Sequence, residues 1–239
     1  MANPPELVWL DNLTPKSTRF DDTYYTRDNG LEETRHVFIG GNRLEARWAA
    51  GQLPVIGEFG FGTGLNFLAT WQAWDSHLAR QKDLSPSGTN LQDAQLTFIS
   101  FEKYPLDSTS LERALSCWPD IAPWAGRLVA AWKPETDGWQ TLHFGSVSLI
   151  LFIGDAAEGI SSIPHGIDAW YLDGFNPKTN PELWSLELMT AAFAASNPGA
   201  TLASYTAAGW VRRTLQSAGF SIAKRKGFGH KRDMTIGTR

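Results

Sequence analysis

Residues 54–75, PVIGEFGFGTGLNFLATWQAWD, decide how the rest of the chain is read. Pro54 to Phe59 is a short apolar run that ends at a glycine cluster, the pattern of a buried strand. After Gly60-Phe61-Gly62-Thr63-Gly64, the residues Leu65, Phe67, Leu68, Trp71 and Trp74 recur at helical spacing, so a helix opens near Gly64. A strand-to-helix turn of this kind needs glycine for positive φ and for close approach of a ligand to bare backbone. The spacing is G-x-G-x-G rather than the dinucleotide G-x-G-x-x-G, and no Gly-Lys-Ser/Thr follows to mark a phosphate loop. A tight turn without any ligand would use the same glycines. Charge separates these readings. Glu58 stands just before the turn and a second strand ends in Glu102. Carboxylates there repel a pyrophosphate and suit a ligand that carries an ammonium or sulfonium and no phosphate.

The 239 residues are enough for one sizeable α/β domain with a small N-terminal addition, and 42% hydrophobic residues with 11 Trp argue for a filled core. Cys117 is the single cysteine, which excludes a disulfide framework and a cysteine-rich zinc site; the five histidines form no ligand-like cluster, so no metal is expected. The start, MANPPELVWLDNL, lacks a basic-then-apolar leader, and no stretch approaches the ~18 apolar residues of a membrane span. A cytoplasmic protein without a membrane partner is the expectation, and a monomer is the default because no exposed apolar helix stripe is evident. Charge is uneven. Residues 212–239 hold eight Lys/Arg and one acid, against a net charge of −4 for the whole chain. A basic end on an acidic body suits a local polyanion contact, although a solvated surface has the same composition.

Taken in order, residues 1–35 read as an ordered loop region. His36–Ile39 and Arg43–Trp48 flank Gly40-Gly41-Asn42, a β-hairpin signal. Residues 1–50 would then be an extension and hairpin packed on a core of residues 51–239, as a cap on the sheet or a lid over a substrate. Residues 76–95 read as a polar surface insertion with a helix tail. Strands are expected at 96–102, 146–153, 167–173 and 199–205, helices within 105–134, 181–195 and 208–218, and a final antiparallel pair at 220–225 and 233–237. Alternating β and α units imply a mostly parallel, Rossmann-like sheet with its ligand crevice at the strand C-terminal ends. Glu58, Glu102, Asp155 and Asp173 all stand at such ends.

Glu58-x-Gly60-x-Gly62-x-Gly64 resembles the first motif of class I S-adenosylmethionine-dependent methyltransferases, a fold with a seven-stranded sheet. A wider set of motifs resembles one family within it: Phe20-Asp21-Asp22-x-Tyr24, Asn29-Gly30-Leu31-Glu32-Glu33-Thr34-Arg35, Phe59 through Phe67, Ser100-Phe101-Glu102-Lys103, Leu172-Asp173-Gly174-Phe175-x-Pro177, and Lys224 through Arg232. That family is the methyltransferase domain of bacterial tRNA 5-methylaminomethyl-2-thiouridine biosynthesis, the N-terminal domain of MnmC or stand-alone MnmD. The likeness runs from about residue 8 to the C-terminus. It implies S-adenosyl-L-methionine as cofactor and methylation of the exocyclic amine of 5-aminomethyl-(2-thio)uridine at the tRNA wobble position, on substrate supplied by upstream wobble-uridine modification enzymes. The sequence stops after the last methyltransferase strand, so a C-terminal FAD oxidase domain is not expected in it.

Carried over residue by residue, Glu58, Gly60, Gly62, Gly64, Asn66, Glu102, Lys103, Asp155 and Ala156 would contact the cofactor, with Glu102 on the ribose hydroxyls and Asp155-Ala156 at the adenine. Asp173 would accept or orient the amine proton. Phe175 would stack on the flipped uracil, with Pro177 beside it. Tyr25 and Asn29, Gly30, Leu31, Glu32 and Glu33 would form the rim or lid. Arg212, Arg213, Lys224, Lys226, Phe228, Lys231 and Arg232 would meet the anticodon stem-loop. A small-molecule amine methyltransferase or aminopropyl transferase would share the glycine turn and the ribose acid without needing the basic end. A non-catalytic tRNA-binding module is the reading from another class.

Overall fold

The computed structural model describes residues 5–11, 13–26, 28–84, 94–134 and 137–239. It opens with three short antiparallel strands, β1 (Leu7–Leu10), β2 (Thr14–Ser17) and β3 (Asp22–Thr23), which form a small sheet of their own. Along β1, Leu7 and Trp9 point inward while Val8 and Leu10 are exposed, so this stretch carries the period-2 pattern of a half-buried strand. An N-terminal hairpin extension is therefore present, but within residues 7–23 rather than 36–48.

Residues 30–39 and 44–49 are helical, joined by a turn at 40–43. Helix α1 (Gly30–Thr34) runs straight into a wide π turn (Arg35–Ile39), and α2 (Leu44–Ala49) follows. The expected hairpin fails for a packing reason. Val37, Phe38 and Ile39 are all buried, whereas a two-faced strand would expose alternate residues. Gly41 marks close packing on the main sheet, because an added Cβ would lie 2.7 Å from Ala203 Cβ. Asn42 is buried and its amide donates to the carbonyls of Phe38 (3.0 Å) and Trp170 (3.2 Å), which ties the segment to the sheet.

The main sheet begins with β4 (Ile56–Phe59), whose residues are all buried. Helix α3 (Leu65–Leu84) follows the glycine turn and extends well into the segment expected as a surface insertion; residues 85–93 of that segment lie outside the described residues. Then come β5 (Leu96–Glu102), α4 (Ser108–Leu115), α5 (Ala122–Ala131), β6 (Gly138–His143) and β7 (Val147–Ile153). A short α6 (Ala156–Gly159) leads to β8 (Ile167–Leu172), α7 (Leu186–Ala195), β9 (Ser196–Ser204), α8 (Gly209–Ser217), β10 (Ser221–Lys226) and β11 (Asp233–Thr238).

The eight-stranded order is β10-β11-β9-β8-β4-β5-β7-β6. The five strands from β9 to β7 are parallel, and β11, β10 and β6 are antiparallel to their neighbours. The expected seven strands are all present. The added β6 is a partly exposed edge strand with a mixed sequence, Gly-Trp-Gln-Thr-Leu-His, which carries no strong strand signal. Helices bury both faces. Phe67, Trp71, Trp74, Phe98 and Tyr171 pack with Phe38 and Trp48 on one side; Phe59, Trp170, Trp184, Met189 and Leu215 pack on the other. The chain moves outward from β4 through β5 to β7, then returns to place β8 on the other side of β4. The reversal opens a crevice at the C-terminal ends of β4 and β8.

Candidate active site

The glycine turn after β4 forms the floor of this crevice. Gly60, Gly62 and Gly64 have φ of +83°, +55° and +70°, the left-handed region that glycine enters without steric cost. Gly60 and Phe61 donate their N–H groups to Phe101 O (3.0 and 3.1 Å), which pins the turn to β5. A Cβ at Gly62 would stand 3.2 Å from the Tyr24 ring, and one at Gly64 would stand 2.8 Å from Phe61 Cζ. Above the turn is a cavity of about 240 Å³. Its wall includes Gly60, Gly62, Asn66, Glu102, Lys103, Ala156 and Asp173 from the main sheet's rim, and Tyr25, Gly30 and Glu33 from the N-terminal segment.

The four acids stand on four adjacent strands, β8, β4, β5 and β7, but they do different things. Glu102 lines the cavity and holds the turn. Its Oε2 accepts from Gly62 N–H and its Oε1 from Tyr104 N–H, each at 2.7 Å. Burial raises its pKa, while these backbone donors pull it down. Asp155 is not part of the cavity wall. It caps α6 by accepting from Ala157 N–H (2.9 Å) and pairs with Lys103 Nζ (2.7 Å). Burial alone would raise its pKa, but the Lys103 bond and the cap outweigh it and hold the carboxyl below its ordinary value.

Glu58 also turns away from the cavity. It is fully buried, and its oxygens accept from Ser100 Oγ (2.6 Å) and Asn66 Nδ2 (2.9 Å). Burial raises its pKa well above the carboxylate range, the two donors oppose this, and Asp173 and Glu102 add to it. Asp173 lies at the end of β8 and reaches the cavity. Its Oδ2 accepts from Asn66 Nδ2 at 2.6 Å. Burial is the main reason that its pKa is pushed up to about 6; the Asn66 and Gly174 N–H donors and Lys231 oppose the rise and Glu33 adds to it.

The N-terminal segment lines one side of the cavity and packs on the loop after β8. Phe175 stacks on Phe20 (ring centroids 4.7 Å, interplanar 21°) and meets Tyr24 edge-on at 5.0 Å. One face of Phe175 is therefore already occupied, a partner that its reading as a base-stacking platform had not included. Asp22 accepts from Asn176 N–H (2.8 Å), joining the same segment to the loop after β8. Tyr25 lines the cavity, with its hydroxyl turned back to Ala114 O at 2.8 Å. Leu31 and Pro177 are buried, Asn29 is exposed outside the cavity wall, and Glu32 pairs with Arg35 on the surface.

The basic C-terminal residues differ in their partners and exposure. Lys231 belongs to the cavity. Its Nζ donates to Glu33 Oε1 (2.5 Å) and stands 5.1 Å from the centroid of the Tyr205 ring. Phe228 is half-buried against His36. Arg212 is half-buried on α8, while Arg213, Lys224, Lys226 and Arg232 are exposed. Lys224 also pairs with Asp233 (2.7 Å) across the β10–β11 hairpin. Basic residues on an outer strand such as β10 also discourage edge-to-edge pairing. Thr34 and Tyr205 also line the cavity, Ser100 holds Glu58 behind it, and none of the three is singled out by the sequence reading. Each had only its place in a motif or at a strand end as a signal.

Comparison with known proteins bears on the family and the fold. The sequence model of a family described as S-adenosyl-L-methionine-dependent methyltransferase matches residues 119–239. The tRNA 5-methylaminomethyl-2-thiouridine biosynthesis bifunctional protein MnmC of Ectopseudomonas mendocina (strain ymp) is 48% identical over 242 residues. That alignment covers 99% of this chain and 35% of the relative, so the chain spans about a third of the relative's length. In fold, the chain is similar to the crystal structure of MNMC2 from Aquifex aeolicus, with a TM-score of 0.72 at 21% identity over 98% of this chain and 70% of that one. A spermidine synthase bound to the transition state analogue AdoDATO shares the fold more distantly, with a TM-score of 0.50 at 11% identity over 98% of this chain and 71% of the other.

Proposed function

The chain belongs to the S-adenosyl-L-methionine-dependent methyltransferase family, and on that premise we propose that it methylates the primary amine of 5-aminomethyl-(2-thio)uridine at the tRNA wobble position, giving 5-methylaminomethyl-(2-thio)uridine. The observation that carries the reading is Asp173, a carboxylate at the cavity wall beside the glycine turn, with a pKa of about 6. The 48% identity to MnmC over nearly the whole chain supports the choice of substrate.

The residues present fit the cofactor. The positive-φ turn is bare where a side chain would intrude, and Glu102, with no lysine in the turn, favours a ribose hydroxyl and a sulfonium over a phosphate. We assign Gly60, Gly62 and Glu102 to holding it, with Ala156 and Lys103 at the adenine end. When bound, S-adenosyl-L-methionine supplies a methyl group already activated on a sulfonium. The chain's own work is positioning and proton handling. An alkyl amine with a lysine-like pKa costs about 4 kcal/mol to neutralise at pH 7. Asp173 accepts that proton, and a carboxylate near pKa 6 is a better base at neutral pH than an unperturbed one while still mostly ionised. Asp22, Tyr24 and Phe20 line the cavity from the N-terminal side.

The test is methyl transfer from labelled S-adenosyl-L-methionine to two tRNA pools, one carrying 5-aminomethyl-uridine at the wobble position and the other its carboxymethylaminomethyl precursor. Label in the first pool only is expected. Label in neither, with the cofactor still bound, would point to a small-molecule amine as the substrate.

The exposed residues Arg213, Lys224, Lys226 and Arg232 are assigned to the anticodon-stem phosphates. Replacing all four by Gln should weaken tRNA binding and flatten the dependence of log Kobs on log salt by up to about 3, at roughly 0.7–0.9 per phosphate contact. A slope that does not change would make this surface a solvated one. Equilibrium binding at three or more salt concentrations reads it.

A further inference from the structure

Asn66 is placed to act on Asp173 rather than on the cofactor. It begins the second residue of α3, and its side chain joins four elements. Its Oδ1 accepts from Thr34 Oγ1 on α1 (2.7 Å). Its two amide hydrogens divide between Glu58 on β4 (2.9 Å) and Asp173 after β8 (2.6 Å). Rotating the amide by half a turn would bring its oxygen against the Asp173 carboxylate and leave the Thr34 hydroxyl facing an N–H group. The orientation is therefore fixed by its neighbours. Glu58 is in turn held by Ser100 Oγ (2.6 Å), so no polar group in the chain Ser100–Glu58–Asn66–Asp173 lacks a partner.

We propose that Asn66, oriented by Thr34 and Glu58, is the positioning residue for Asp173: it aims the carboxylate at the substrate amine and stabilises its ionised form. Glu58 belongs to this support and not to the cofactor contacts. The proposal rests on the reading of Asp173 as proton acceptor. The other charged or titratable groups that act on Asp173 are Glu58 behind Asn66, Glu33 on α1 with its partner Lys231 from the β10–β11 turn, and Tyr205 after β9.

The experiment follows the Asp173 carboxyl directly, by carbon-13 NMR titration of the full chain labelled at aspartate. Its resonance is assigned by its absence in Asp173→Asn. In Asn66→Ala the midpoint should move up by roughly one to two pH units, the loss expected for one charge-assisted hydrogen bond. Turnover at neutral pH should fall while cofactor affinity changes little. Thr34→Val removes only the group that orients the amide and should move the midpoint in the same direction by less; it decides the matter if Asn66→Ala does not fold. An unmoved midpoint in the folded variants overturns the positioning role alone. A cofactor affinity that falls as far as turnover makes Asn66 a cofactor contact and also overturns it. Full turnover in Asp173→Asn overturns the proton-acceptor reading, and the proposal with it.

Discussion

Asp173→Asn is expected to lower the rate of methyl transfer by about 10²- to 10⁴-fold at neutral pH, the range typical for loss of a positioned general base, with cofactor affinity nearly unchanged. The substitution is close to isosteric. Asn66 Nδ2 can still donate to the new carboxamide oxygen as it does to Asp173 Oδ2, so the wall of the cavity should stay in place. What disappears is the only change that matters to the chemistry, an oxygen able to take the proton of the amine. The pH dependence has a defined sign. Asp173 ionises with a pKa of about 6, so the base is lost as pH falls through that value in the parent protein. The amine itself also titrates, so the informative quantity is the difference between the parent and variant profiles. Single-turnover methyl transfer, paired with calorimetric titration of S-adenosyl-L-methionine, separates the two effects. Parental turnover in the variant would remove Asp173 from the mechanism.

The contrast between Asp173 and its neighbours shows what a linear sequence can carry. The strand, the glycine turn and α3 were legible because their constraints are local: positive φ demands glycine, and a helix repeats its apolar face within a few residues. The four acids were legible as a set because each stands at or near the C-terminal end of a parallel strand, and adjacent strands bring their ends to one rim. Which of them line the cavity was not legible. Glu58 lies inside a strand buried on both faces, where Ser100 on β5 and Asn66 on α3 claim its oxygens, and both are distant in sequence or on another element. Asp155 stands by position where an adenine contact is expected, and its oxygens accept from the α6 N-terminus and Lys103. Residues 36–48 failed for a related reason. Val-Phe-Ile before Gly-Gly-Asn reads as a strand and turn, but burial of all three apolar residues and the contact of Gly41 with Ala203 favour helix against the sheet. Lys231 carries a charge that is visible in sequence and a direction that is not: it is exposed like the other C-terminal cations, yet its ammonium pairs with Glu33 at the cavity wall.

Glu102→Ala should show the reverse pattern from Asp173→Asn: a dissociation constant for S-adenosyl-L-methionine raised by about 100-fold, or roughly 2.7 kcal/mol, with a much smaller change in turnover at saturating cofactor. Glu102 has two tasks at one place. It accepts N–H groups from Gly62 and Tyr104 (2.7 Å each), and so fixes a glycine that sits at φ +55° with no side chain to hold it. It also lines the cavity, where the ribose hydroxyls are assigned to it. Alanine leaves both N–H groups without a protein partner, and each charge-assisted bond is worth about 1.5–3 kcal/mol. Part of that loss falls on the free protein, so a lower Tm should accompany the weaker binding. Glu102→Gln should fall between the two, because a carboxamide can accept from one of the N–H groups but presents its own NH₂ to the other. Calorimetric titration and thermal melting on the three proteins measure this order. If the cofactor binds Glu102→Ala as it binds the parent, the acid after β5 serves the glycine turn alone, and the ribose must be held from elsewhere on the rim.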